Sequence, residues 1–177
     1  MLAGLAWALS LTPLLATPTF AQMRDERAVK AAFVFNLTKY VEWPQASNEL
    51  VIGFVGEGPM GETLERMLAG RSSESRPIRV VLYPPDEELE RCSILYIADS
   101  APSKVRAILD RVRTKSILTV GDTGSFARNG GMVGLVRVGE QVQIQVNLEV
   151  THESRLRISS RLLNIAVIVA PTSGGKD

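Results

Sequence analysis

The sequence predicts a single α/β domain: a mostly parallel sheet flanked by helices, with an antiparallel hairpin near the C-terminus. Three observations predict it. Between residues 25 and 128, apolar runs of strand length alternate with amphipathic segments of helix length, the signature of βα units. Gln141–Val146 (QVQIQV) then alternates polar and apolar strictly, and Gly139-Glu140 separates it from Met132–Val138. That is a hairpin strand with one wet and one dry face. Finally, 177 residues with 45% hydrophobic and 22% charged side chains suit one globular domain with its own core.

Each element has a local reason. Asp25 to Trp43 has helical periodicity and stops at Pro44, which restricts Trp43 and cannot donate a hydrogen bond. Leu50–Gly56 (LVIGFVG) is a buried strand and Pro59–Leu68 a helix. Ile78–Tyr83 is a second strand, closed by Pro84-Pro85. Ser93–Ala98 (SILYIA) is a third, and Pro102–Val112 a helix with Pro in its first turn. Ser116–Val120 is the fourth strand, followed by a short helix over Thr123–Arg128. His152, between Glu149 and Glu153, falls on a further helix. Ser159–Val169 is apolar and its length favours helix, although Val167–Val169 favours strand. Arg71–Arg76 (RSSESR) reads as a loop too short to divide two domains, and no internal repeat is present.

Residues 1–21 (MLAGLAWALSLTPLLATPTFA) carry no charge. Small residues before Gln22 suit signal peptidase, so export with cleavage after Ala21 is expected. An uncleaved anchor is the alternative, opposed by Pro13 and Pro18. The domain then spans residues 22–170, with a flexible tail over 171–177. Cys92 is the sole cysteine, so no intramolecular disulfide can form. The 20 Lys/Arg are interspersed with 19 Asp/Glu, giving net charge +1 and no basic–aromatic track for nucleic acid.

Catalytic motifs are sparse. GEGPMG (Gly56, Gly58, Gly61) has dinucleotide-fingerprint spacing, with Asp86 further on, yet Pro59 removes a donor and Glu57 repels phosphate. A tight strand-to-helix turn explains it as well. His152 has no second histidine for a zinc motif, and Ser125 lies in GDTGSFA, outside a nucleophile elbow. No cofactor or metal is expected, and an exported hydrolase lacks a nucleophile and base. Asp122 follows the SILTV strand, where open α/β sheets place ligand loops; helix capping is the competing role. On the first helix Val29, Phe33, Asn36, Tyr40 and Trp43 share one stripe, with Phe35 nearly opposite. Asn36 there is either a satisfied core amide or a contact to a ligand or partner.

KAAFVFNLTKYVEWP near the expected mature N-terminus resembles the opening of the YfiR-like proteins of Gram-negative bacteria. VIGFVGEGPMG, CSILYIADS, SILTVGDTGSFARNGGMVGLV and IQVNLEVTHESRLRISSRLLNIAVIV agree in order, so the resemblance covers roughly residues 26–170. It implies an exported, non-enzymatic protein that binds the periplasmic sensor part of an inner-membrane diguanylate cyclase or histidine kinase and represses it. It also implies, as a further partner, an outer-membrane lipoprotein; a homodimer is expected as well. Onto this chain it maps Asn36, Lys39, Tyr40, Trp43 and Pro44, and then Asn147, Ser159, Ser160 and Leu163. With Asp122 added from its place after the SILTV strand, the candidate binding residues are Asn36, Lys39, Tyr40, Trp43, Asp122, Asn147, Ser159 and Ser160. Cys92 matches one half of a family disulfide whose mate is missing, so redox control through an internal disulfide is excluded. A periplasmic small-molecule-binding protein, using Gly56–Gly61 and Asp122, is the alternative.

Overall fold

The computed structural model describes residues 20–45, 47–84, 89, 92–98 and 102–172. Nearly all of the expected leader, Asp86 and most of the tail lie outside the described residues. Helix α1 (Phe20–Tyr40) leads into β1 (Val41–Glu42), then β2 (Leu50–Val55), α2 (Met60–Leu68), β3 (Ser72–Ser73) and β4 (Arg76–Tyr83). β5 (Ile94–Ile97), α3 (Pro102–Val112), β6 (Leu118–Gly121), β7 (Val133–Val138) and β8 (Gln141–Val146) follow. The chain closes with α4 (Leu148–Glu153), β9 (Arg157–Ile158), α5 (Ser160–Leu163) and β10 (Val167–Ile168). The expected α/β class holds: the main sheet runs β10-β8-β7-β6-β5-β2-β4-β3. It is parallel except at the β7–β8 hairpin and the β3–β4 edge.

The strand residues alternate between two cores, as the pleat requires. Leu50, Ile52 and Phe54 of β2 and Ile94 and Tyr96 of β5 pack in the core that α1 and α2 share, where Phe54 and Tyr96 stack at 5.9 Å. Val55, Leu95 and Ile97 face the opposite way, toward Ile108, Leu109 and Val112 of α3. Gly53 is required between these strands: a Cβ there would lie 2.6 Å from the Cys92 sulfur. The sheet is thus sandwiched by helices, which explains why its central strands are apolar on both faces.

Five expectations need correction. The first helix ends at Tyr40, short of Trp43, because Val41-Glu42 pairs antiparallel with Arg157-Ile158 and Ser159 N–H bonds the Tyr40 carbonyl at 2.8 Å. Its core face is also rotated. Ala31, Val34, Leu37 and Thr38 are buried, while Val29, Phe33, Asn36 and Tyr40 lie about a third of a turn away, half-buried or exposed. The smaller side chains face the sheet and the aromatics flank the contact.

Thr123–Arg128 forms successive turns, not a helix. Phe126 wedges between Gly121 and Gly131, either of whose Cβ atoms would collide with its ring. RSSESR is a tight hairpin, since Glu74 and Ser75 both take positive φ (50° and 66°) between paired Ser73 and Arg76. Within Ser159–Val169 only four residues are helical. β-Branched Val167 and Ile168 instead pair in parallel with Gln145 and Val146 and form the sheet edge.

Candidate functional site

Two surfaces meet at the end of α1. The first is its outward face, where Asn36 and Tyr40 are half-buried and Lys39 is exposed. Among the described residues the Asn36 amide has no hydrogen-bond partner, although a polar stripe member was expected to need one. The Lys39 ammonium sits 4.6 Å from the Phe35 ring centroid and the Arg71 guanidinium 4.9 Å from it, so two cations frame one aromatic.

The second surface is a pair of adjoining clefts around Trp43, of about 560 and 770 Å³. Its indole N–H donates to the Ser93 carbonyl at 3.0 Å, just ahead of β5. Trp43 is therefore pinned at the N-terminal ends of the parallel strands, with Val51 and Ile117 beside it in the larger cleft. Arg155 lines both clefts, and Arg157 and His152 the smaller. Arg79 in the larger cleft is held by Glu49 in a two-pronged pair of 3.0 and 3.1 Å. That pair holds the exposed Glu49 carboxyl below its ordinary range. Cys92 lies on the floor, and burial pushes its thiol pKa up, which keeps it protonated and unreactive.

Asp122 lies at the opposite, C-terminal end of the sheet. Its carboxylate accepts from Lys30 at 3.3 Å, and Lys30 also pairs with Glu26 at 2.7 Å. Glu26 in turn receives Arg137 at 3.2 Å, so the chain of charges joins α1, the β6 loop and the β7–β8 hairpin. Lys30 is only 7% exposed. Burial acts to raise the Glu26 pKa, but Lys30 and Arg137 together hold it below the usual carboxylate range. The Tyr96 hydroxyl is buried beside Asp122 at the edge of this network. Burial first, and then the Asp122 and Glu26 charges, push its pKa up. Gly56 and Gly58, at φ 127° and 104°, shape the neighbouring strand-to-helix turn.

The remaining candidates are engaged by the fold. Asn147 is fully buried; it caps α4 by accepting from Val150 N–H at 3.2 Å and donates to the Ala127 carbonyl at 2.8 Å. Ser159 caps α5 by accepting from Arg161 N–H at 3.3 Å, while Ser160 is exposed. The structure thus gathers Asn36, Lys39, Tyr40 and Trp43 on and after α1, with Ser159 bonded to Tyr40, and leaves Asp122 on the far side of the sheet. Sequence reasoning passed over Lys30, Glu26 and Arg155. The i, i+4 spacing of Glu26 and Lys30 was the available signal for the first two. Among the described residues no group of three or more His, Cys, Asp or Glu is placed to hold a metal ion.

A family model described as YfiR/HmsC-like matches residues 27–167, most of the chain. The chain belongs to the YfiR/HmsC-like family. No curated protein matches it. YfiR/HmsC-like membership supports a role as a periplasmic, non-catalytic regulator in diguanylate cyclase signalling. Among the described residues no helix is long and apolar enough to cross a membrane.

Proposed function

We propose that this YfiR/HmsC-like protein binds the periplasmic sensor part of an inner-membrane diguanylate cyclase or histidine kinase and holds it in its inactive state. The observation that carries this reading is the outward face of α1: exposed Val29, half-buried Phe33 and Tyr40, and an unpartnered Asn36 amide on one surface. An apolar patch with a polar hook is the anatomy of a protein-binding face. An envelope signal, delivered by a ligand or an outer-membrane lipoprotein, relieves repression by favouring the unbound state; 1–3 kcal/mol of coupling, about 5–150-fold, suffices. The protein acts as a homodimer through its exposed β10 edge and is exported with its leader removed after Ala21.

The test is cellular cyclic di-GMP in a strain carrying the chain with its cognate cyclase. Asn36→Arg should leave the melting temperature nearly unchanged, because the position is not in the core, and should raise cyclic di-GMP. Unchanged repression by a folded Asn36→Arg protein would remove α1 from the interface. The larger Trp43 cleft favours a second reading, capture of a periplasmic solute. It predicts a raised melting temperature when a solute is added with no partner present.

A further inference from the structure

We propose that the paired clefts around Trp43 seat an extended acidic segment of the partner's periplasmic part, an assignment that rests on the regulatory reading above. The argument begins at Arg155. Helix α4 ends with Arg155 N–H bonded to the His152 carbonyl at 2.9 Å and Leu156 N–H to the Thr151 carbonyl at 3.2 Å. This is the Schellman pattern, whose left-handed residue is ordinarily Gly. Here it is Arg155, at φ 60°. The backbone there needs only a positive φ, which Gly would give without strain. Among the described residues the Arg155 guanidinium has no ion-pair partner, so the fold gains nothing visible from its charge.

The surroundings say what that charge faces. Arg157 is likewise exposed and unpaired among the described residues, and it lines the smaller cleft beside Arg155. Arg79 and Glu49 neutralise each other, which leaves Glu42 as the acidic side chain of the lining outside that pair. In a chain of net charge +1 this is a local excess of cation. Trp43, fixed by Ser93, offers an aromatic surface at the junction of the two clefts. Each cleft alone is the size a small ligand fills. Because Trp43 and Arg155 line both, the clefts adjoin and together form a trough with more room for a length of chain than either has alone. Carboxylates along such a segment would take charge-assisted hydrogen bonds from the two arginines.

The test uses the full chain and a labelled ten-residue peptide of Glu and Leu, followed by fluorescence anisotropy, beside its Lys and Leu counterpart. The acidic peptide should bind, with affinity falling at high salt, and the basic one should not. Arg155→Gly should raise the melting temperature by relieving the strained φ, yet weaken peptide binding about tenfold. The variant cannot lose binding through misfolding if it melts higher, and the double variant Arg155→Glu/Arg157→Glu should abolish binding. Equal binding of both peptides, wild-type affinity in Arg155→Gly, or citrate binding as tightly as the acidic peptide would each overturn the assignment. Deleting the gene and measuring cyclic di-GMP tests the regulatory reading separately. Unchanged levels would sink that reading while the peptide result still judged the trough.

Discussion

Lys30 ties α1 to the loop after β6 through one buried ammonium. A lysine so deeply buried is costly unless paired, and it is paired twice, with Glu26 at 2.7 Å and Asp122 at 3.3 Å. Replacing it with Met keeps the bulk but takes a cation from two partly buried carboxylates, leaving Asp122 without Lys30 and Glu26 with Arg137 alone. Both remain about a quarter exposed, so water offsets part of the penalty; the expected loss is about 1–3 kcal/mol at neutral pH. The pH dependence has a definite sign. Glu26 titrates below its ordinary 4.5 in the folded protein, so its contribution is complete above that value and is lost as pH falls through the folded pKa. Thermal melts of wild type should therefore show a fall in stability below about pH 4.5, and Lys30→Met should start lower and fall less. Identical acid profiles would show that the network contributes nothing.

At the scale of elements, the exposed sheet edge is the feature most in need of explanation. Val167 and Ile168 of β10 are 42% and 48% exposed, and Ile165 beside them 66%. A short apolar edge with open backbone groups invites another strand. At the other edge β3 covers β4 with a tight hairpin carrying charged Glu74 and Arg76. The proposed homodimer uses the open edge, so Ile168→Lys should convert a dimer to a monomer in sedimentation equilibrium with little change in melting temperature. A dimer that persists would place the interface elsewhere. This element also marks the limit of what the sequence could disclose. The helix–strand order and the QVQIQV hairpin were legible because their periodicity is local. The strand character of Val167-Ile168 was only half legible: the β-branched run favoured strand while length favoured helix, and what decides is pairing with Gln145 and Val146, some twenty residues earlier. For the same reason the end of α1 was misplaced: only the distant partner Arg157-Ile158 makes Val41-Glu42 a strand. Asn36, Tyr40 and Trp43 stood out by composition, whereas Arg155 was invisible because nothing in its neighbours reveals a positive φ.

Across the whole molecule, the second half of α1 is tied to opposite ends of one sheet. Lys30 reaches Asp122 after β6, and Trp43, just beyond the helix, reaches Ser93 before β5. Between them Ala31, Val34 and Leu37 belong to the same core as β2, β5, α4 and α5. A helix fixed at its middle, just past its C-terminal end and along the core face between them cannot leave without exposing that core, so the protein should unfold as one unit. With its leader removed the chain keeps Trp43 as its one tryptophan, so its fluorescence reports the strand-start end alone, while far-ultraviolet circular dichroism reports all helices. In urea the two transitions should share one midpoint. An earlier fluorescence transition would mean that Trp43, β1 and β9 detach first. The clefts around Trp43 would then be a locally opening region, and a partner seated there would bind a fluctuating surface instead of the rigid trough that pinning by Ser93 predicts.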